Sequence, residues 1–197
     1  MDLEDKAEWH KELNGGLVPV LETPQGQLVI ESRVHMELAN ELGKEEGLQL
    51  YDKDPFKAAI QRQKIEKYAS SVPGAVLSIM MYRGKITEKI DELRDVIVPK
   101  MENYLKDVLE GGKKFAGGDV PDMVDCFIYP FPSRVVLLEG SPMHEIFEHI
   151  KVKENAPTLY AYISRMRDHE LFKPVVARPE AFHKFLKEVL AKEEGVK

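Results

Sequence analysis

The chain has 197 residues, of which 43% are apolar and 31% charged, with a formal net charge of −6; that suffices for one large domain or two small ones. There is no apolar run of the roughly eighteen residues a membrane span needs, the polar start "MDLEDKAEWHKEL" is no signal peptide, and basic residues scattered among acidic ones make no nucleic-acid face. A single cysteine, Cys126, allows no disulfide within the chain and fits the reducing cytoplasm, so small molecules and proteins are the expected partners.

Strand signals come first. "LVPVL" (Leu17–Leu21) and "QLVI" (Gln27–Ile30) are short, apolar and β-branched, and "ETPQG" between them supplies a turn with Pro24 and Gly26. The pair predicts an antiparallel hairpin. Ser32 then reads as the cap of a helix running to about Leu42 and ended by Gly43. "LGKEEGLQLYDKD" (Leu42–Asp54) reads as a link.

From Asp54 onward the period is helical. Asp54 caps and Pro55 takes the first helical position. Ile65, Tyr68, Ala69, Val72, Val76 and Ile79 share a stripe, with a kink expected at Pro73-Gly74. Ile86, Ile90, Leu93, Ile97, Tyr104 and Val108 form a second stripe, ended by Gly111-Gly112. Met123 to Leu138 is apolar on nearly every side, which predicts one helix buried all round. Shorter helices are expected over Met143–Ile150 and Pro157–Asp168. A last one, Pro179 to Lys192, places Phe182, Phe185, Leu186, Val189 and Leu190 on one face. The fold class is therefore α+β leaning towards all-α: a β-hairpin plus helix over 1–43, then an all-helical domain over 54–197.

Pro19 is the odd residue. A proline donates nothing to a strand ladder and belongs at an edge, a bulge or a strand start. A cis Val18–Pro19 bond is the other reading. It turns the Val18 backbone outward, where an extended peptide-like ligand pairs as one more strand. Glu31-Ser32 ends the neighbouring strand and opens a helix, and a helix N-terminus attracts anions. A ligand with an extended backbone and a terminal carboxylate fits both features.

These residues carry a resemblance. A "VP" strand, a short turn, a second strand and "ES" opening a helix resemble the glutathione site of cytosolic glutathione transferases. "DLEDKAEWHKELNGGLVPVLETPQGQLVIES" is similar to the omega class in particular. "FAGGDVPDMVDCFIYPF", "APTLYAYISRMRDHELFKPV" and "FHKFL" extend the likeness toward the C-terminus. The resemblance implies a partial thioredoxin-like domain followed by the family's helical domain. It implies glutathione as co-substrate and no metal. Val18 pairs with the cysteinyl backbone of glutathione, Glu31 and Ser32 hold its γ-glutamyl end, and Lys6 reaches the glycyl carboxylate. Phe131, Arg134 and Phe182 line the acceptor pocket. Arg134 could instead pair with Asp122, Asp125 or Glu139. A two-fold homodimer is implied as well.

The omega-class resemblance also implies a βαβ unit whose helix starts with a reactive cysteine, and the expectation is that this chain begins after that unit. No Cys-Pro motif is present, and Cys126, between Val124 and Ile128, reads as apolar packing with a raised pKa. No catalytic residue is assigned. "HEIFEH" (His144–His149) spaces its histidines five apart rather than the i, i+4 of zinc helices, so no metal site is expected. Two functions follow: glutathione-dependent thiol transfer, including dehydroascorbate reduction, implied by the resemblance and expected to be absent or very weak without the cysteine; or a non-catalytic scaffold binding glutathione or protein.

Overall fold

A computed structural model describes residues 6–45, 47, 49–74, 86–174 and 179–193. Val76 and Ile79 of the first helical stripe, and the side chains of Ile86 and Val189, lie outside the described residues. The chain divides into two compact units, Met1–Asp52 and Lys53–Lys197.

The first unit opens with a helix the sequence analysis did not single out, α1 (Glu8–Asn14). Its end was legible in "NGG": Gly15 adopts φ 58°, the left-handed geometry that closes helices, and the Gly16 N–H donates to the His10 carbonyl at 3.2 Å. Strands β1 (Val20–Glu22) and β2 (Leu28–Ile30) pair antiparallel, with Val20 opposite Ile30 and Glu22 opposite Leu28. The ladder starts at Val20 and not at Leu17. Pro19 just before it has no N–H to give, and the Val18–Pro19 peptide is cis. In the turn, Gly26 N–H donates to the Thr23 carbonyl at 2.9 Å and Gln27 N–H to Thr23 Oγ1 at 3.1 Å.

Helix α2 (Ser32–Leu42) follows. Here the expected cap is corrected: Glu31, not Ser32, occupies the N-cap position, with φ 73° and no side-chain capping bond. Ser32 is already helical. Gly43 likewise stays in right-handed geometry at φ −82°. The segment beyond is tied back by buried Asn40, whose Oδ1 accepts the Leu50 N–H at 2.9 Å.

The second unit begins with α3 (Pro55–Ala69). Asp54 accepts from the N–H groups of Phe56 and Lys57, satisfying donors a helix start leaves orphaned. Ala58, Ile65 and Tyr68 form its buried face. The sequence suggested a long kinked helix, but α3 stops at Ala69. Ser70 and Ser71 turn their hydroxyls back onto the Lys67 carbonyl at 3.1 and 2.9 Å, competing with the helical ladder.

The second stripe is also less regular than its period suggests. A 3₁₀ turn (Ile86–Lys89), one α turn (Ile90–Glu92) and a π turn (Leu93–Ile97) lead into α4 (Val98–Val108). The cause is Pro99. It offers no N–H to the preceding turn, and the Val98 N–H reaches five residues back to the Leu93 carbonyl. Arg94 in the π turn pairs with Asp91 at 2.9 Å and Asp95 at 2.7 Å, and meets His149 at 2.8 Å.

The single helix expected over Met123–Leu138 is two: α5 (Met123–Ile128) and α6 (Pro130–Val136). Pro130 and Pro132 each remove one ladder donor. The Ile128 carbonyl, left without the donor that Pro132 lacks, accepts from Tyr68 Oη at 3.4 Å, while Ser133 and Arg134 add side-chain bonds to the Pro130 carbonyl at 3.0 and 2.9 Å. Nor is the pair buried all round, because Cys126, Phe127, Phe131 and Arg134 are only half-buried. Helices α7 (His144–Ile150), α8 (Val152–Asn155), α9 (Pro157–Asp168) and α10 (Pro179–Glu193) complete the unit.

Two buried carboxylates anchor this unit. Asp125 accepts from the backbone of Ala116 at 2.9 Å, Gly117 at 3.3 Å and Asp122 at 2.8 Å, and from Tyr162 Oη at 2.7 Å. Asp122 and Asp125 thereby form a reciprocal capping box at the start of α5. Gly117 is required there, since a Cβ would sit 2.5 Å from the Val120 carbonyl oxygen. Glu102 on α4 accepts from Leu159 N–H at 2.8 Å and Thr158 N–H at 3.3 Å. It caps α9, whose own N-cap residue, Ala156, makes no side-chain bond.

Candidate functional site

In the first unit the ladder ends with Val20 opposite Ile30, so the cis Val18–Pro19 peptide and the Glu31–Ser32 start of α2 both lie just beyond the same end of the sheet. Both strands thus bring their chemistry to one end of the sheet. Val18 is 63% exposed, and no described residue hydrogen-bonds its backbone. Glu31 holds a positive φ rare outside glycine. Its carbonyl accepts both the backbone N–H of His35 at 3.1 Å and His35 Nδ1 at 2.9 Å. That fixes the first turn of α2 and leaves the Glu31 and Ser32 side chains exposed.

Lys6 is not loose at the surface. Its Nζ donates to the Gly16 carbonyl at 2.7 Å, two residues before Val18. Its stem lies against Gly16, where a Cβ would be 3.0 Å from Lys6 Cδ. This end of the unit thus offers a fixed ammonium, the unpaired Val18 backbone and a helix N-terminus. Those are the groups that hold an extended ligand with charged ends.

In the second unit, Phe131 and Arg134 come together: the guanidinium carbon lies 5.8 Å from the ring centroid. Arg134 pairs with none of the three carboxylates the sequence offered, because each is held elsewhere. Asp122 takes Gln61 at 2.7 Å, Asp125 has its four donors, and Glu139 takes Lys153 at 2.5 Å and Tyr160 at 2.9 Å. Phe182 is not joined to them by any described contact; its ring stacks on Phe185 at 6.5 Å. The residue sequence reasoning passed over is Phe127. It lies four positions before Phe131 and seven before Arg134, a helical-face spacing that was there to be read.

Cys126 is half-buried and unpaired. Burial, with the charges of Asp125 and Asp122 beside it, pushes its thiol up to about 12, so it is a poor nucleophile at neutral pH. Among the described residues no group of three or more His, Cys, Asp or Glu could hold a metal, and no helix is long and apolar enough to cross a membrane. A shallow groove of about 540 Å³ runs beside α3 between Ile60, Lys64, Lys67 and Asp107, and none of the candidate site residues lines it.

No family model matches the chain. Individual proteins do. Glutathione S-transferase omega-1 of Mus musculus is 39% identical over 143 residues, covering 71% of this chain and 56% of that protein. The protein of the same name from Rattus norvegicus is 30% identical over 169 residues, 85% of this chain and 64% of its own length. The chain thus spans roughly three fifths of these relatives. Among solved structures, Rice GST1 in complex with glutathione superposes with a TM-score of 0.68 at 20% identity, over 97% of this chain and 84% of that one, which shows a common fold. By sequence likeness and fold together, the chain belongs to the glutathione transferases, of the omega type.

Proposed function

We propose that the chain binds glutathione through Lys6, Val18, Glu31 and Ser32, and that it serves glutathione-dependent thiol transfer, including dehydroascorbate reduction. The supporting observation is the hairpin end, where the unpaired Val18 backbone precedes one strand and Glu31 and Ser32 follow the other, just beyond the last pair of the ladder. Val18 takes the peptide backbone of glutathione as an added strand. Glu31 and Ser32 hold the ammonium and carboxylate of the γ-glutamyl group at the start of α2, and Lys6 balances the glycyl carboxylate. Phe131, Arg134 and Phe182 belong to the acceptor side. The same reading makes the protein cytoplasmic and a homodimer.

A second reading, a non-catalytic binding or scaffold protein, is favoured by Cys126. It is the one thiol of this sequence, and burial keeps it protonated. Two experiments test the pair. Calorimetric titration of the full chain with reduced glutathione is expected to show binding that weakens about tenfold or more in Ser32→Ala, as for loss of a hydrogen bond to a charged group. Unchanged affinity, or none in the parent, overturns the site. Turnover of hydroxyethyl disulfide with glutathione then separates the readings: slow or absent turnover with intact binding favours the binder, and brisk turnover favours the enzyme.

A further inference from the structure

We infer that His35 is a positioning residue for the proposed glutathione site: the bond from its Nδ1 to the Glu31 carbonyl holds the turn that presents Glu31 and Ser32 to the γ-glutamyl group. The inference rests on the glutathione reading and adds to it a residue that acts through Glu31 and not on the ligand.

The backbone comes first. Glu31 sits at φ 73° and ψ 118°, a conformation that a residue with a side chain keeps only where its surroundings over-determine it. An ordinary N-cap residue is extended and turns its side chain onto the first N–H groups of the helix. Glu31 does neither: its backbone is at positive φ and its side chain makes no capping bond. Its side chain and that of Ser32 stay exposed. Relaxation of Glu31 to negative φ would swing its side chain and the Glu31–Ser32 peptide to new directions at once.

The hold comes second. The Glu31 carbonyl accepts twice from His35, from the backbone N–H at 3.1 Å and from Nδ1 at 2.9 Å. The first bond is the one any α-helix makes. The second belongs to this side chain, which reaches the N-cap because Cβ atoms tilt toward the helix N-terminus. A carbonyl only accepts, so Nδ1 carries a proton. In the neutral ring Nε2 is then a bare acceptor, closed off from solvent and without a partner among the described residues. The ring is not placed to exchange a proton with a ligand. Its polar link runs to Glu31, which makes it a brace for the strained turn.

The test uses the full chain with His35→Asn, His35→Gln and His35→Leu, each titrated calorimetrically with reduced glutathione. Asn carries its amide nitrogen as many bonds from Cβ as Nδ1 is, Gln one bond farther, and Leu carries no donor. Glutathione is expected to bind about five- to tenfold more weakly to the Leu and Gln proteins, as for one net hydrogen bond lost. The Asn protein should stay within about twofold of the parent, its donor being kept. A merely structural role predicts the opposite order, because Leu and Gln are better helix formers than Asn; urea midpoints on the same samples read that order separately. In the unliganded protein the Glu31 and Ser32 amide resonances should move in His35→Leu and return in His35→Asn. Leu or Gln proteins as tight as the parent, or an Asn protein as weak as Leu, overturns the assignment. Glutathione binding that is equal in the parent and all three variants removes this inference alone; no binding in the parent removes the glutathione reading and this inference with it.

Discussion

The two units of this chain are held by different means. In Lys53–Lys197 the helices share an interior in which Tyr68, Tyr162, Ile163, Leu159 and Met166 are fully buried. In Met1–Asp52, Tyr51 is the one large apolar side chain that is buried among the described residues, while Trp9, Leu17, Val18, Leu28 and Leu42 are exposed. A two-stranded hairpin is marginal by itself. The residues proposed to bind glutathione therefore sit on the less secured unit, and Phe131 and Arg134, proposed for the acceptor side, sit on the more secured one. Local stability differs across a protein in this way, and binding elements are drawn from its lower end. A ligand that bridges β1 and α2 would stabilise the first unit by mass action.

The largest test strikes the better-secured unit. Replacing Asp125 by Ala orphans three backbone N–H groups and the Tyr162 hydroxyl at once. At about 1–3 kcal/mol for each buried group left unpaired, the loss should reach at least about 3 kcal/mol, read by urea denaturation followed through helical circular dichroism. Burial, with Asp122 nearby, raises the Asp125 carboxyl to about 6 against the opposing pull of its backbone donors. The folded value then exceeds the unfolded one. Its contribution is present in full below the ordinary aspartate range and is lost as pH rises through about 6. Asp125→Asn should flatten that part of the stability–pH curve; an unchanged slope would show that the carboxyl titrates normally.

Glu102→Ala should cost less, about 1–3 kcal/mol, by leaving the first N–H groups of α9 without their borrowed cap. The same denaturation midpoints measure it, and a change below about 0.5 kcal/mol would mean that water replaces the carboxylate.

On the other side of the comparison, Asn40→Ala removes the tie to Leu50. About 1 kcal/mol of lost local stability is expected, as for a single net hydrogen bond. Hydrogen exchange should quicken in α2 and around Leu50 and stay unchanged in α4 and α9. Equal acceleration in both units would show that they unfold as one, and the contrast drawn above would fall.

The smallest effect concerns Glu139. Partial burial raises its pKa, but the hydrogen bonds from Lys153 and Tyr160 outweigh that and hold it below the ordinary value. The folded value is thus depressed. Its contribution is present above the ordinary glutamate range and is lost as pH falls through the folded value. Glu139→Gln should erase that loss on the acid side only, as seen in thermal melts between pH 3 and 6, with solvent screening keeping the amplitude small.

Much of this architecture was legible in the sequence because single residues announce it. Asp54-Pro55 and Asp122 with Asp125 mark helix starts by side chains that reach backbone donors, a local event that needs no tertiary context. The hairpin was legible from β-branched runs around a Pro-Gly turn. What failed were inferences from hydrophobic period. Period cannot see a missing N–H, so Pro130 hid the break between α5 and α6 and Pro99 hid the π turn. Ser70-Ser71 ended α3 by hydroxyl bonds that no apolar stripe reports. In the candidate site, Glu31 rather than Ser32 took the cap position. Arg134 had three carboxylates within plausible reach along the chain, and only the fold shows that each has other partners.

The measurement closest to the central claim is a backbone amide chemical-shift map of the full chain titrated with reduced glutathione. The account predicts saturable shifts gathered at Val18, Glu31 and Ser32 with a smaller response near Lys6, while the amides of α4 and α9 stay still. Shifts absent at saturating ligand, or gathered anywhere other than that end of the hairpin, would contradict it.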